Sequence, residues 1–369
     1  MASPGSMGGS SSLTPSLGLN EIREIIQTEF IVEEVRVEFG NPIYIVRLNG
    51  SPKEPFIRLV ERFKPYFLVP MLKKHNTTTY IQVMNKPPSR RSRPIINVAL
   101  FGATFLSVFF TGYYTAGTWI RLFGGDLISQ SLMFTFALLA IVGLHEFGHK
   151  TAAQLSGIKA SPPYFIPGPP APFGFGTFGA VIMQREPPVN RDQLFNLGFS
   201  GPIVGFLVTL VVAVIAIQTS QIVDIPYVNR LAGQGMQFLN PPLIWSLLVA
   251  ATRPIPEGFV PLAPPIGLAA WLGFVITFLN LLPVWQLDGG HVTRAVFGEK
   301  GVRIGSVIGI IITIATGFWF FGLLILFFMM NSPRYIGTLD EISGVSNHKK
   351  LLAILSYVIL GLSAVVMWG

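Results

Sequence analysis

The chain has 369 residues, of which half are hydrophobic, 12% are charged and none is cysteine. With a mean hydropathy of +0.56, this composition excludes an ordinary water-soluble enzyme and points to a polytopic membrane protein. The formal charge of +8 is not gathered on a basic face, which argues against nucleic acid as a partner, and without thiolates a metal must sit on histidine and carboxylate.

Residues 1–17 are rich in Gly, Ser and Pro, lack the apolar stretch of a secretory signal, and read as a disordered tail. Residues 18–92 change character. LNEIREIIQTEF and EPFIRLVERF have helical spacing, while IVEEVRVEF, PIYIVRLNG, YFLVPML and TTYIQVM have strand character. This is a small soluble α+β domain without a catalytic cluster, a docking or regulatory module whose partner the sequence does not name. Its end, KPPSRRSRP at 86–94, is a basic linker directly before an apolar run, and by the positive-inside rule it holds the domain in the cytoplasm.

Residues 93–369 form a membrane-embedded domain with about six transmembrane helices. Starting from a cytoplasmic linker, the chain is expected to leave with 95–116, return with 127–154, leave with 193–217, return with 266–287, leave with 304–330 and return with 350–368. The apolar stretch 241–251 is too short to span and is expected at the interface or re-entering.

The organising stretch is 127–154, whose uncharged run 127–144 leads into His145, Glu146 and His149. Residues four apart share a helix face, so both imidazoles can reach one ion while Glu146, one position on, can hold a water. Ionisable groups at the end of an apolar span are costly and are usually retained for function. Downstream, six prolines between 162 and 172 rule out a continuous helix, and Thr177 to Met183, TFGAVIM, reads as a strand whose edge can pair with an extended peptide or as a loop resting on the membrane surface.

The fourth crossing ends in NLLPVWQLDGG at 280–290. Its Asp288 falls at the depth of His145 and His149 and is the best candidate for a third ligand, since zinc sites of this type hold three protein ligands and keep a fourth position open. Pro283 breaks the helix, Gly289 and Gly290 permit tight turning, and Asn280 can donate to an oxyanion. The GFSG at 198–201 matches a serine-protease pattern but lacks a histidine to serve it; Gly198, Gly201 and Gly205 read better as a small-residue face for close helix packing. A metal-ion transporter and an inactive scaffold are the other classes these residues admit. Glu146 has no special use in the first, and intact ligands argue against the second.

Together HEFGH at 145–149 and NLLPVWQLDGG at 280–290 resemble the site-2 protease family of intramembrane zinc metalloproteases, with GTFGAVI at 176–182 and LFNLGFSGPIVG at 194–205 also similar to family segments. The likeness covers about residues 95–300, and the soluble N-terminal domain is similar to the archaeal, cyanobacterial and plastid branch. The resemblance implies one Zn²⁺ per chain on His145, His149 and Asp288, Glu146 as catalytic base, Asn280 assisting at the transition state, and single-span membrane proteins in the lipid bilayer as substrates, reached from the cytoplasmic side. It assigns no role to His291.

Overall fold

A computed structural model of the chain describes residues 17–38, 41–86, 94–234, 236–331 and 337–367. Residues 1–16 of the tail and 87–93 of the basic linker lie outside the described residues. Contacts divide the chain into two compact units, Met1–Ser89 with Gly337–Ser343, and Arg90–Ile336 with Gly344–Gly369.

The first unit runs α1 (Leu19–Gln27), β1 (Ile31–Glu38), β2 (Asn41–Arg47), α2 (Lys53–Phe63), β3 (Leu68–His75) and β4 (Thr78–Asn85), with the antiparallel sheet ordered β1-β2-β4-β3. Alternation puts Tyr44, Val46, Leu72, Ile81 and Val83 on one face, where Ile22, Ile26, Phe56, Leu59 and Phe63 of the helices cover them. Both helices bury residues at three- and four-residue intervals, the spacing of one helix face. The outer edge of β3 is not bare: Leu72 N donates to Leu339 O at 2.8 Å and Glu341 N to Leu72 O at 3.2 Å. Residues 337–343 belong to this unit for that reason.

The second unit is helical. It comprises α3 (Pro94–Phe123), α4 (Leu127–Leu155), the hairpin β5 (Tyr164–Pro167) and β6 (Thr177–Val181), α5 (Arg191–Gln218), β7 (Gln221–Asp224), α6 (Ile225–Gly233), α7 (Leu243–Thr252), β8 (Phe259–Leu262), α8 (Pro265–Leu281), α9 (Asp288–Ala315), α10 (Trp319–Asn331) and α11 (Asn347–Leu362). Among the described residues α3, α4 and α5 are each long and apolar enough to cross a membrane, and α7, α8 and α10 are shorter apolar helices. The helices of this unit, α9 and α11 included, carry exposed Ile95, Leu106, Phe110, Val211, Ile308, Phe327 and Ile354, a surface suited to lipid.

Helices in lipid gain little from apolar burial against one another, so close packing through small residues matters more. The central layer of α4, α5 and α8 shows this. Phe134, Leu138, Ile141, Phe206, Ala213, Ala270 and Phe274 form its core, and a Cβ at Gly273 of α8 would overlap Thr209 of α5.

Two expectations about the last third are corrected. The stretch 304–330 is not one helix: α9 ends at Ala315, Gly317 takes φ 92, and α10 packs back on α9. A glycine in the left-handed region just past the cap is a strong helix stop even inside an apolar run. The last helix also runs the other way. Ser346, the residue before α11, donates from N and Oγ to the carboxylate of Asp192 at the start of α5 (2.8 and 2.6 Å), while Asn240 of the α6–α7 connection bonds Val366 O. α11 therefore runs parallel to α5, with its first residues on the side where α5 begins.

Candidate metal centre

α4 starts at Asp126, whose carboxylate accepts from Ser129 N at 2.6 Å, and continues unbroken to the metal-binding motif. His145 and His149 occupy successive turns of its buried face. Asp288 does not end the preceding crossing, as the sequence suggested, but is the first residue of α9, reached through a short turn after α8 in which Trp285 takes φ 32. Gly289 and Gly290 serve by their lack of a side chain: a Cβ at either would strike backbone carbonyls of 281–285. Neither has positive φ, so space, not turning freedom, explains them.

The three side chains converge. His145 Nε2 and His149 Nε2 lie 3.1 Å apart, and each is 3.2 Å from Asp288 Oδ2. Tetrahedral zinc with bonds of about 2.0–2.2 Å needs ligand atoms about 3.3–3.5 Å apart, so a slight opening of this triangle accommodates the ion. Among the described residues His145, His149 and Asp288 are the group gathered closely enough to hold a metal.

The surroundings orient the ligands. His149 Nδ1 sits 2.7 Å from Leu197 O, which leaves Nε2 facing His145 Nε2 and Asp288 Oδ2. Pro202 in the same stretch of α5 removes the amide that would bond the Gly198 carbonyl, leaving carbonyl capacity in this turn. Gly201 lies against the His149 ring and Gly205 against His145, where added Cβ atoms would collide with the imidazoles. Ser200 Oγ, the would-be nucleophile of the GFSG pattern, is 3.5 Å from Leu197 O. That motif is a packing face, and it packs on the ligands themselves.

Glu146 is buried beside the triangle, on the helix against which β6 packs. Asn280 Nδ2 is 3.5 Å from His145 Nε2, at the outer limit of hydrogen bonding. His291, one turn into α9, lies next to Gly198 and outside the ligand group. One contribution escaped the sequence, the Leu197 carbonyl, because every residue carries such a group.

The profile of peptidase family M50 matches residues 133–325, more than half of the chain and a span that contains both motifs. The chain belongs to this family. Among curated relatives, the probable zinc metalloprotease EGY2, chloroplastic, of Oryza sativa subsp. indica is 29% identical over 212 residues, covering 56% of this chain and 38% of the relative. The Arabidopsis thaliana protein of that name is 27% identical over 175 residues, 47% of this chain and 30% of the relative. The probable zinc metalloprotease EGY1, chloroplastic, of Oryza sativa subsp. japonica is 26% identical over 253 residues, 65% and 42%. The chain spans less than half the length of these relatives, and no solved structure matches it. M50 membership and the His-His-Asp triangle agree on a zinc-type centre.

Proposed function

We propose that the chain is an intramembrane zinc metalloendopeptidase that hydrolyses peptide bonds in or near transmembrane segments of single-span membrane proteins. The observation that carries the reading is the triangle of His145, His149 and Asp288, with edges of 3.1–3.2 Å and Glu146 adjoining it. In this reading the three residues hold one zinc ion, which supplies Lewis-acid charge beside the scissile carbonyl when bound. Glu146 accepts the proton of the attacking water on its carboxylate and returns it to the leaving amine. Asn280 aims an N–H at the oxygen that becomes negative.

A transmembrane helix hides its amides in internal bonds, so substrate must be held extended. β6 pairs with β5 along one edge, with partners Tyr164 and Val181, Phe165 and Ala180, and Pro167 and Thr177. Its Phe178 and Val181 are exposed, and β6 packs beside α4, the helix that carries Glu146. A substrate strand added to the other edge runs past the catalytic carboxylate. The N-terminal domain, 18–92, is read as a regulatory module on the cytoplasmic side, because Lys86, Arg90, Arg91 and Arg93 flank the first apolar helix.

Cleavage of a generic single-span protein in detergent tests the activity. The parent is expected to cleave and Glu146→Gln to lose at least about 10²-fold in rate, the smallest contribution expected of a general base. A Glu146→Gln protein as active as the parent would leave the metal centre without this chemistry.

A further inference from the structure

With His145, His149 and Asp288 read as a zinc site, we propose that Ser306 is a positioning residue for Asp288. Its hydroxyl holds the turn before the third metal ligand, from a seat that Gly305 and Gly309 clear for that turn. His145 and His149 lie on one unbroken helix, whose own hydrogen bonds fix their spacing. Asp288 has no such support from the chain before it, because α8 ends at Leu281 and α9 begins at Asp288 itself. Its carboxylate stays 3.2 Å from both Nε2 atoms only while the turn 282–287 keeps its shape.

That turn is irregular. Trp285 takes φ 32, a conformation that a bulky L side chain keeps only where its surroundings hold it. Val284 N donates to Leu282 O at 2.7 Å and Leu287 N to Val284 O at 2.9 Å, both within the turn. Trp285 N donates outside it, to Ser306 Oγ at 3.0 Å. A helical serine commonly gives its hydroxyl proton to the carbonyl four residues back. Ser306 does so, bonding Val302 O at 2.7 Å, and its oxygen then still has lone pairs with which to accept. Ser306 is 2% exposed, so water cannot replace it as the acceptor, and a buried amide without one is costly.

A bend brings the serine to this place. Thr293 and Gly305 would be about 18 Å apart on a straight helix, yet a Cβ at Gly305 would lie 3.4 Å from Thr293 Cγ2. Gly298, with φ 71 and ψ −165, breaks the helical path between them. The same Cβ would lie 2.6 Å from Pro283 O, and one at Gly309 would overlap Val284 Cγ2. Neither Gly305 nor Gly309 has positive φ, so closeness to the turn requires them. The helix that opens with the ligand thus returns to buttress the turn before it.

Metal uptake and amide exchange of the full-length protein test this without reference to proteolysis. Ser306→Thr keeps the oxygen and Ser306→Val puts a methyl group in its place, so any crowding by the larger side chain is common to both. Metal-free protein is titrated with Co²⁺, whose visible absorption reports the geometry of a site of nitrogen and oxygen ligands. The valine variant is expected to bind about 10-fold or more weakly than the threonine variant, the range for lost support of a metal ligand. It should also show an altered spectrum and faster exchange in 282–287, with 145–149 still protected. Ser306→Ala, which adds no bulk, should behave like valine. Thr313→Val removes a buried hydroxyl that bonds Ile310 O of its own helix and should match the parent. Equal affinities and spectra in the valine, alanine and threonine variants overturn the proposal, as does loss of protection across α4 and α5 in the valine variant, which would make Ser306 a general packing residue. A parent that takes up no Co²⁺ contradicts the zinc site itself, and exchange of 282–287 in the metal-free variants then decides whether Ser306 holds the turn.

Discussion

Gly201 illustrates how tightly single residues set this centre. A methyl group there would overlap the His149 ring, which cannot swing away while Nδ1 is held by Leu197 O and Nε2 faces the ligand triangle. At Gly205 the added atom would lie 2.9 Å from His145 Nδ1, a milder collision, and at Gly102 of α3 it would meet nothing within 4 Å. A graded outcome follows: Gly201→Ala lowers zinc affinity by about 10–100-fold or more, the range for disturbed support of a metal ligand, Gly205→Ala lowers it less, and Gly102→Ala not at all. Zinc titration of the three variants checks the order, with equal affinities contradicting it. The histidines, Glu146, Asp288 and the glycine face were legible because each is a residue type with few other uses in an apolar helix. Leu197 was not, since its contribution is a carbonyl.

At the level of elements, β6 gives the clearest test of how substrate is held. Proline removes an amide donor where alanine does not, so a proline scan across 178–182 should cut cleavage sharply at alternate positions while zinc content stays normal. Each strand hydrogen bond lost is worth about 0.5–1.5 kcal/mol, or roughly two- to twelvefold in rate. Matching proline and alanine profiles would return β6 to a mere surface hairpin.

The first unit offers a pH-dependent counterpart. Arg58 hydrogen-bonds the Glu29 carboxylate at 2.9 Å and Arg62 adds a second contact at 3.3 Å, and together they hold its pKa below the usual carboxylate range against the opposing effect of burial. A lowered folded pKa stabilises above the unfolded value of about 4.3 and is lost as pH falls through the folded one. Both arginines are more than half exposed, so the pair contributes about 1 kcal/mol or less. Pulse proteolysis of the N-terminal domain should find Glu29→Gln less stable than the parent at pH 6 and the difference shrinking toward pH 3. A difference that grows on acidification would contradict the assignment.

Elements were unevenly legible. The α and β runs of 18–85 show in the sequence because alternation and helical spacing differ plainly there. Residues 304–330 misled because hydropathy registers the length of an apolar run and is blind to the turn that Gly317 makes within it.

For the whole molecule, direction is the property the sequence conveyed least. Charge bias orients a first helix, but a hairpin such as α9–α10 shifts every later segment without changing composition. The contacts of α11 reverse its expected direction relative to α5, and 337–343 pair with β3 within the first unit. Because the protein has no cysteine, single introduced thiols report sidedness cleanly. Position 344 is expected to react with an impermeant reagent from the same side as positions 53 and 187, and position 226 from the opposite side. Labelling of 344 together with 226 would restore the rejected topology.

The central claim is that His145, His149 and Asp288 hold one zinc ion and that Glu146 acts beside it without binding it. Elemental analysis of purified parent, His145→Ala with His149→Ala, Asp288→Ala and Glu146→Gln proteins tests this most directly. The account predicts about one zinc per chain in the parent and in Glu146→Gln, with little or none in the two ligand variants. Full occupancy in the doubly substituted histidine protein, or loss of the ion in a folded Glu146→Gln protein, would contradict it.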